Sequence, residues 1–290
     1  SGTPAIGVGA GNGPAYIHHT ANVAQAVKRI LDSKTFDNGT ICASEQSIVT
    51  ERCIKDQVMA EVKKQGGYFL DEEQSKKLEK MIMRANNTMN PAIVGKSVQT
   101  IAKMAGITVP EGTRVLVSEQ TEVGPNHPYS REKLCPILAF FVEDTWEKCC
   151  EKSIAILQNE GAGHTMTIHS NNDDIIREFA LKKPVSRLLV NTPGALGGVG
   201  ATTNLAPALT LGCGAVGGSA TSDNVSPLNL INIRRVAWGA CELEDLRKDS
   251  PVPAAASCCG AAASVPSGNL NATDVERITR EILAAVLAKK

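Results

Sequence analysis

The chain has 290 residues, enough for one large domain or two ordinary ones with a sizeable core. Its 30 basic and 30 acidic residues cancel, which argues against a broad electrostatic surface for nucleic acid. No apolar stretch reaches the ~18 residues that a membrane span needs, and nine cysteines, an odd number without regular spacing, read as reduced thiols rather than a disulfide framework.

The chain starts at Ser1, without an initiator methionine and without a basic, apolar, small-residue leader pattern. Ala5-Ile6-Gly7-Val8-Gly9-Ala10-Gly11-Asn12-Gly13-Pro14 predicts a strand ending in a tight turn. Its glycines let backbone approach a ligand or another element closely, and it looks like the middle of a fold rather than its beginning. Val23, Ala26, Val27 and Ile30 predict a helix over 20–33. Ile54, Val58 and Val62 do the same for 51–65, and Leu78, Met81 and Ile82 for 71–85. A short helix is expected over 98–105, and strands over 114–118 and 137–142. Helix 145–158, strand 165–169, helix 173–181 and strand 187–191 follow. Strands alternating with helices argue for a layered α/β domain.

Residues 192–227 are rich in Gly, Ala, Thr, Ser and Pro, and a loop of that length in a compact domain is often functional. Leu230 to Trp238 is strand-like but alternates poorly, and residues 249–268 read as a Pro/Ala/Ser linker that also carries Cys and Gly. Within it Cys258-Cys259 has no second pair at zinc spacing, so no metal site is expected. Thr273-Asp274-Val275-Glu276 is a capping-box pattern. Val275, Ile278, Ile282 and Val286, with Leu283 and Leu287, form one apolar stripe of a helix about 25 Å long, marginal on its own and in need of a docking surface.

Cys42 lies in Phe36-Asp37-Asn38-Gly39-Thr40-Ile41-Cys42-Ala43-Ser44-Glu45-Gln46, a polar, glycine-bearing turn that leads into Ile48-Val49. A thiol presented in this way can be a nucleophile. A free thiol titrates near pH 8.5, so only about 3% is thiolate at pH 7 unless a helix N-terminus or a cation raises that share. Cys53, Cys135, Cys149, Cys150, Cys213 and Cys241 read as ordinary small hydrophobes. His18, His19, His127 and His169 show no pattern that separates them from surface residues.

Several motifs occur in order: Gly7-Val8-Gly9-Ala10-Gly11-Asn12, the Cys42 turn, Glu132-Lys133-Leu134-Cys135-Pro136, Gly163-His164-Thr165, Val190-Asn191-Thr192-Pro193 and Leu209-Thr210-Leu211-Gly212-Cys213-Gly214. From Ser1 to about Trp238 the set resembles the CoA-acylating branch of the aldehyde dehydrogenase superfamily. The resemblance implies a three-layer α/β catalytic domain. It implies that Cys42 is the nucleophile that attacks a short aldehyde, propanal or acetaldehyde, and carries the acyl group as a thioester. NAD and coenzyme A are the cofactors it implies. Glu132 then matches the residue that bonds the nicotinamide ribose, Leu134 a residue packed near the nicotinamide ring, and Gly9 a position whose backbone faces the carboxamide. On their own, Glu132 could be a solvated charge and Leu134 simple core. His164 could orient coenzyme A, accept a proton or be structural.

One departure is informative. Hydrolytic relatives carry a glutamate 34 residues before the nucleophile, where this chain has Val8, and a valine cannot activate water. Transfer to coenzyme A is therefore expected over hydrolysis. A hydrolytic NAD-dependent enzyme and a non-catalytic piece acting as microcompartment cargo are the alternatives. The resemblance partitions the chain into 1–14, the end of a cofactor-binding domain whose remainder is absent; 15–227, the catalytic domain; 228–240, an oligomerisation strand; 241–268, a linker; and 269–290, an amphipathic targeting helix. It implies a homo-oligomer, and the tail resembles peptides that bind shell proteins of bacterial microcompartments. A cytoplasmic enzyme inside such a compartment is expected, with no nucleic-acid or membrane partner. Because most of the nucleotide-binding half is absent, the chain alone is expected to bind NAD poorly.

Overall fold

A computed structural model describes residues 5–248. Seven strands, β1 (Pro14–Ile17), β2 (Ser47–Glu51), β3 (Gly67–Phe69), β4 (Val115–Glu119), β5 (Ile137–Glu143), β6 (Gly163–His169) and β7 (Val185–Val190), form one sheet in the order β3-β4-β5-β2-β1-β6-β7. Every pairing is parallel. Parallel neighbours need long crossovers, so helices cover both faces. These are α1 (Val23–Thr35), α2 (Lys55–Lys64), α3 (Glu72–Ile82), α4 (Val98–Ala105), α5 (Trp146–Asn159) and α6 (Asp173–Lys182), followed by the short α7 (Gly194–Gly198).

Side chains that alternate along the strands feed two cores. Phe141, Leu116 and Tyr16 join Leu78, Ile101, Ile156 and Phe179 from α3, α4, α5 and α6. Phe140, Val117 and Ile17 join Val27, Ile30, Val58 and Val62 from α1 and α2. A fully buried side chain of this size contributes about 1.5–3 kcal/mol. The helices start where the local chemistry allows it. The Asn22 side chain accepts the Gln25 N–H ahead of α1, Asp71 and Gln74 form a capping box at α3, and Ser97 accepts the Thr100 N–H at α4.

The three-layer α/β expectation holds, with corrections at particular elements. Residues 5–13 form no strand; β1 begins at Pro14, where that segment was expected to end. Its four residues are buried on both faces and so lack the alternation that marks a half-buried strand. β3 is too short, at three residues, to show a pattern. The long 192–227 segment carries α7 and a single turn at Ala215–Gly217.

The expected strand over 228–240 does not form within one chain. Pro227–Leu230 is a tight helical turn, and residues 231–240 pair with no strand among the described residues. A strand exists only where another offers its backbone. Contacts divide the chain after Asn232; within the second unit the described part is residues 233–248, which contain α8 (Leu243–Lys248) inside the expected linker. The tail helix over 269–290 lies outside the described residues. Among the described residues no helix is long and apolar enough to cross a membrane.

Candidate active site

The four central strands, β5-β2-β1-β6, bring the segments that precede them to one edge of the sheet. Gly9 to Gly13 lead into β1, Cys42 to Gln46 into β2 and Glu132 to Pro136 into β5, while Gly163 and His164 open β6. Ligands of open parallel sheets usually bind at the carboxyl ends of the strands. Here the nucleophile candidate lies at the amino ends.

The turn before Cys42 is made by three successive left-handed residues after α1: Asp37 at φ 48°, Asn38 at φ 49° and Gly39 at φ 78°. Asp and Asn tolerate this region better than other side chains, and glycine enters it freely. No helix begins directly at Cys42, which leads instead into β2. Burial, and then the Glu132 carboxylate, push the thiol up to about 11. Among the described residues the Cys42 main-chain N–H has no acceptor other than its own sulfur, whose thiolate it favours.

Gly11 lies against that turn. A Cβ there would sit 1.9 Å from the Cys42 carbonyl oxygen, so only glycine fits. The Gly11 N–H donates to Glu132 Oε1 at 2.8 Å, which brings the predicted carboxylate beside the predicted nucleophile. Burial pushes Glu132 up to about 7, against the lowering effect of that bond. Gly9 donates its N–H to Cys213 Sγ at 3.3 Å, tying the first loop to the 211–217 segment. Leu134 is half-buried, and its carbonyl accepts the Gly95 N–H at 3.0 Å.

His164 is buried. Its Nδ1 bonds with Thr165 Oγ1 at 2.9 Å, while Nε2 has no hydrogen-bond partner among the described residues. Burial, with Arg187 nearby, lowers the ring to about 4, so it is neutral at pH 7. Val8 is 53% exposed and brings no proton acceptor.

Sequence reasoning missed the parts that hold this edge together. Gln46 Oε1 accepts from Lys34 Nζ and from the Lys133 main-chain N–H, both at 3.0 Å. Buried Lys133 donates its Nζ to the carbonyls of Tyr129 and Arg131, both at 2.7 Å, and so fixes the turn that carries Glu132. Glu160 accepts the Glu132 N–H at 2.8 Å. Glu45 Oε1 accepts the Gly194 N–H at 2.7 Å, joining the Cys42 segment to α7, and burial pushes its carboxyl up to about 7. Arg187 holds the Gly212 and Ser222 carbonyls, and its charge reaches both Cys42 and Cys213. Cys213, expected to be simple core, belongs to this edge, whereas Cys53 and Cys241 are exposed. A lysine in a turn or an arginine on a strand gives no sequence signal of such a role.

A half-buried thiol, its own main-chain N–H and a carboxylate held by a glycine loop meet at one edge of the sheet, the arrangement expected of an α/β enzyme with a cysteine nucleophile. No family model matches the chain. Aldehyde-alcohol dehydrogenase 2 of Entamoeba histolytica is 43% identical over 246 residues, covering 82% of this chain and 28% of that protein. A probable aldehyde dehydrogenase of Listeria monocytogenes superposes with a TM-score of 0.82 at 68% identity, covering 85% of this chain and 55% of the other. An acetylating aldehyde dehydrogenase of Geobacillus thermoglucosidasius gives 0.81 at 50% identity, covering 84% and 54%. Over about four-fifths of its length the chain is similar to aldehyde-alcohol and acetylating aldehyde dehydrogenases, and it spans between about a quarter and about half of the length of these relatives.

Proposed function

We propose that this chain supplies the acyl-carrying half of a CoA-acylating aldehyde dehydrogenase that converts a short aldehyde, propanal or acetaldehyde, to its acyl-CoA. The observation that carries this is the meeting of Cys42 with Gly11 and Glu132 at one sheet edge, with Val8 where hydrolysis would need a base.

The residues present fit the nicotinamide end of NAD. Glu132 Oε1 is held by Gly11, and Oε2 has no hydrogen-bond partner among the described residues, so it can accept from a ribose hydroxyl. When bound, NAD supplies the acceptor for a hydride, and coenzyme A the thiol that removes the acyl group. The Cys42 sulfur, once deprotonated, forms a C–S bond to the aldehyde carbon. The negative charge that develops on oxygen meets the free main-chain N–H of Cys42. Loss of hydride from that carbon leaves a thioester on Cys42. Attack by the second thiol then breaks the C–S bond and returns the Cys42 thiolate, a two-stage covalent route. Neutral His164, with Nε2 open, offers an acceptor for a proton or for a polar group of coenzyme A.

The tail over 269–290 we assign to docking on microcompartment shell proteins, supported by its amphipathic pattern behind a Pro/Ala/Ser linker; the enzyme would then work inside such a compartment in the cytoplasm. Residues 228–240 we assign to contact between copies.

The test uses a full-length enzyme containing this sequence. Aldehyde and NAD without coenzyme A should leave an acyl mass on the peptide that holds Cys42, with less than one turnover. Adding coenzyme A should restore turnover and release acyl-CoA. Steady turnover to free acid without coenzyme A, or an adduct on another thiol, would overturn the proposal.

A further inference from the structure

The opposite edge of the sheet holds a cluster that the acyl chemistry does not use. β1 ends into His18 and His19, and the neighbouring β2 ends on Glu51. This carboxyl edge is where open parallel sheets ordinarily bind ligands.

His19 Nδ1 lies 2.8 Å from Glu51 Oε2, and His18 Nε2 lies 3.8 Å from Glu51 Oε1. One donor atom from each of the three residues lies within 4.8 Å of the other two. Donors about 2.0–2.2 Å from a tetrahedral zinc ion sit about 3.4 Å from one another, so the observed separations bracket those of a filled site.

The surroundings match what metal-bound imidazole and carboxylate need. His18 is buried, with Nδ1 2.8 Å from Thr20 Oγ1 and 3.3 Å from Ser170 Oγ. Either hydroxyl can accept from Nδ1–H, which frees the Nε2 lone pair; the Thr20 N–H approaches the same nitrogen at a weaker 3.4 Å. The Tyr16 hydroxyl donates to Glu51 Oε1 at 2.9 Å, and the His19 main-chain N–H donates to the same oxygen at 3.0 Å, fixing the carboxylate. The two imidazoles approach Glu51 together, with ring centroids 4.0 Å apart.

We propose that His18, His19 and Glu51 form a site for a divalent transition-metal ion of the zinc class, clamping the ends of β1 and β2. Two nitrogens and one oxygen, without a thiolate among them, suit zinc and its neighbours rather than calcium or magnesium, which take oxygen ligands. The His19 side chain is 48% exposed, so a fourth position opens to water.

Titrating the 290-residue chain with Co2+ tests this. Visible d–d absorption that saturates at one equivalent, without near-ultraviolet sulfur-to-cobalt charge transfer, is expected. His19→Ala, on a half-exposed ring whose loss leaves the core intact, should weaken binding at least ~10-fold, and Glu51→Gln likewise. The rise in Tm that Zn2+ gives the parent should be absent in His19→Ala, while alkylation of Cys42 stays unchanged. Charge-transfer bands would place the metal on thiolates. Those bands, equal affinity in His19→Ala, or no binding below millimolar metal would each overturn the proposal.

Discussion

Cys42 enters its chemistry from an unfavourable position. With its thiol pushed up to about 11, only about one molecule in 10⁴ carries the thiolate at pH 7. Burial is the larger cause, and the Glu132 carboxylate the second. Glu132 itself is raised to about 7, so its charge falls on Cys42 mainly above that pH. Glu132→Gln removes the charge and keeps the shape. Iodoacetamide should then label Cys42 several-fold faster at pH 8–9 in the chain without NAD, because the thiol titrates lower, whereas turnover of the full-length enzyme should fall. Slower labelling would show that Glu132 does not act on Cys42 through charge. Gly11 is constrained more simply: a methyl there collides with the Cys42 carbonyl. Gly11→Ala should destabilise by about 1–3 kcal/mol, as overpacking does, read as a lower Tm together with altered Cys42 labelling. An unchanged Tm would mean that the loop yields freely.

Among the elements, the turn from Tyr129 to Pro136 governs the site's geometry. It has no regular structure of its own beyond one short turn, and Lys133 takes its place as the anchor. Burial lowers the ammonium of Lys133 well below its ordinary range, yet its two carbonyl acceptors leave it hydrogen-bonded. Lys133→Met keeps the apolar stem and leaves the carbonyls of Tyr129 and Arg131 unpaired. A loss of roughly 2–4 kcal/mol is expected, measured by denaturant unfolding, with the Glu132 effect on Cys42 labelling weakened in parallel. A neutral result would assign the turn's placement to Glu160 and Gln46 instead.

On the scale of the whole molecule, the chain exposes apolar side chains at Leu228 (71%), Ile233 (59%), Val236 (77%) and Trp238 (83%). Scattered apolar side chains are normal, but Ile233, Val236 and Trp238 form a run on a segment with no strand partner among the described residues, which is what the proposed contact between copies requires. Trp238→Lys with Val236→Lys should shift the full-length enzyme toward a smaller species in light scattering while the Tm of the catalytic core changes little. An unchanged mass would remove the 228–240 segment from the interface.

How much of this was legible follows the same physics. Periodic apolar positions in α1, α2, α3 and α5 and caps such as Asp71 and Ser97 are local signals, so the layered α/β fold and its helices could be read from the residues alone. The motif set around Cys42, Glu132 and Gly9 carried the family resemblance and named the candidate site, because those residues sit in short contiguous patterns. The strand β1, the unpaired 231–240 segment, the anchor Lys133 and the His18–His19–Glu51 cluster could not be read. Lys133 bonds carbonyls only two and four residues away, but its burial is decided by the rest of the fold; the others depend on partners 30 or more residues away or on a neighbouring strand, and pairing between strands carries no mark on either strand by itself. The order of residues determined which groups could do chemistry. Only the parallel order β5-β2-β1-β6 decided which of them meet, because it gathers four amino-end loops at one edge and two histidines with a glutamate at the other.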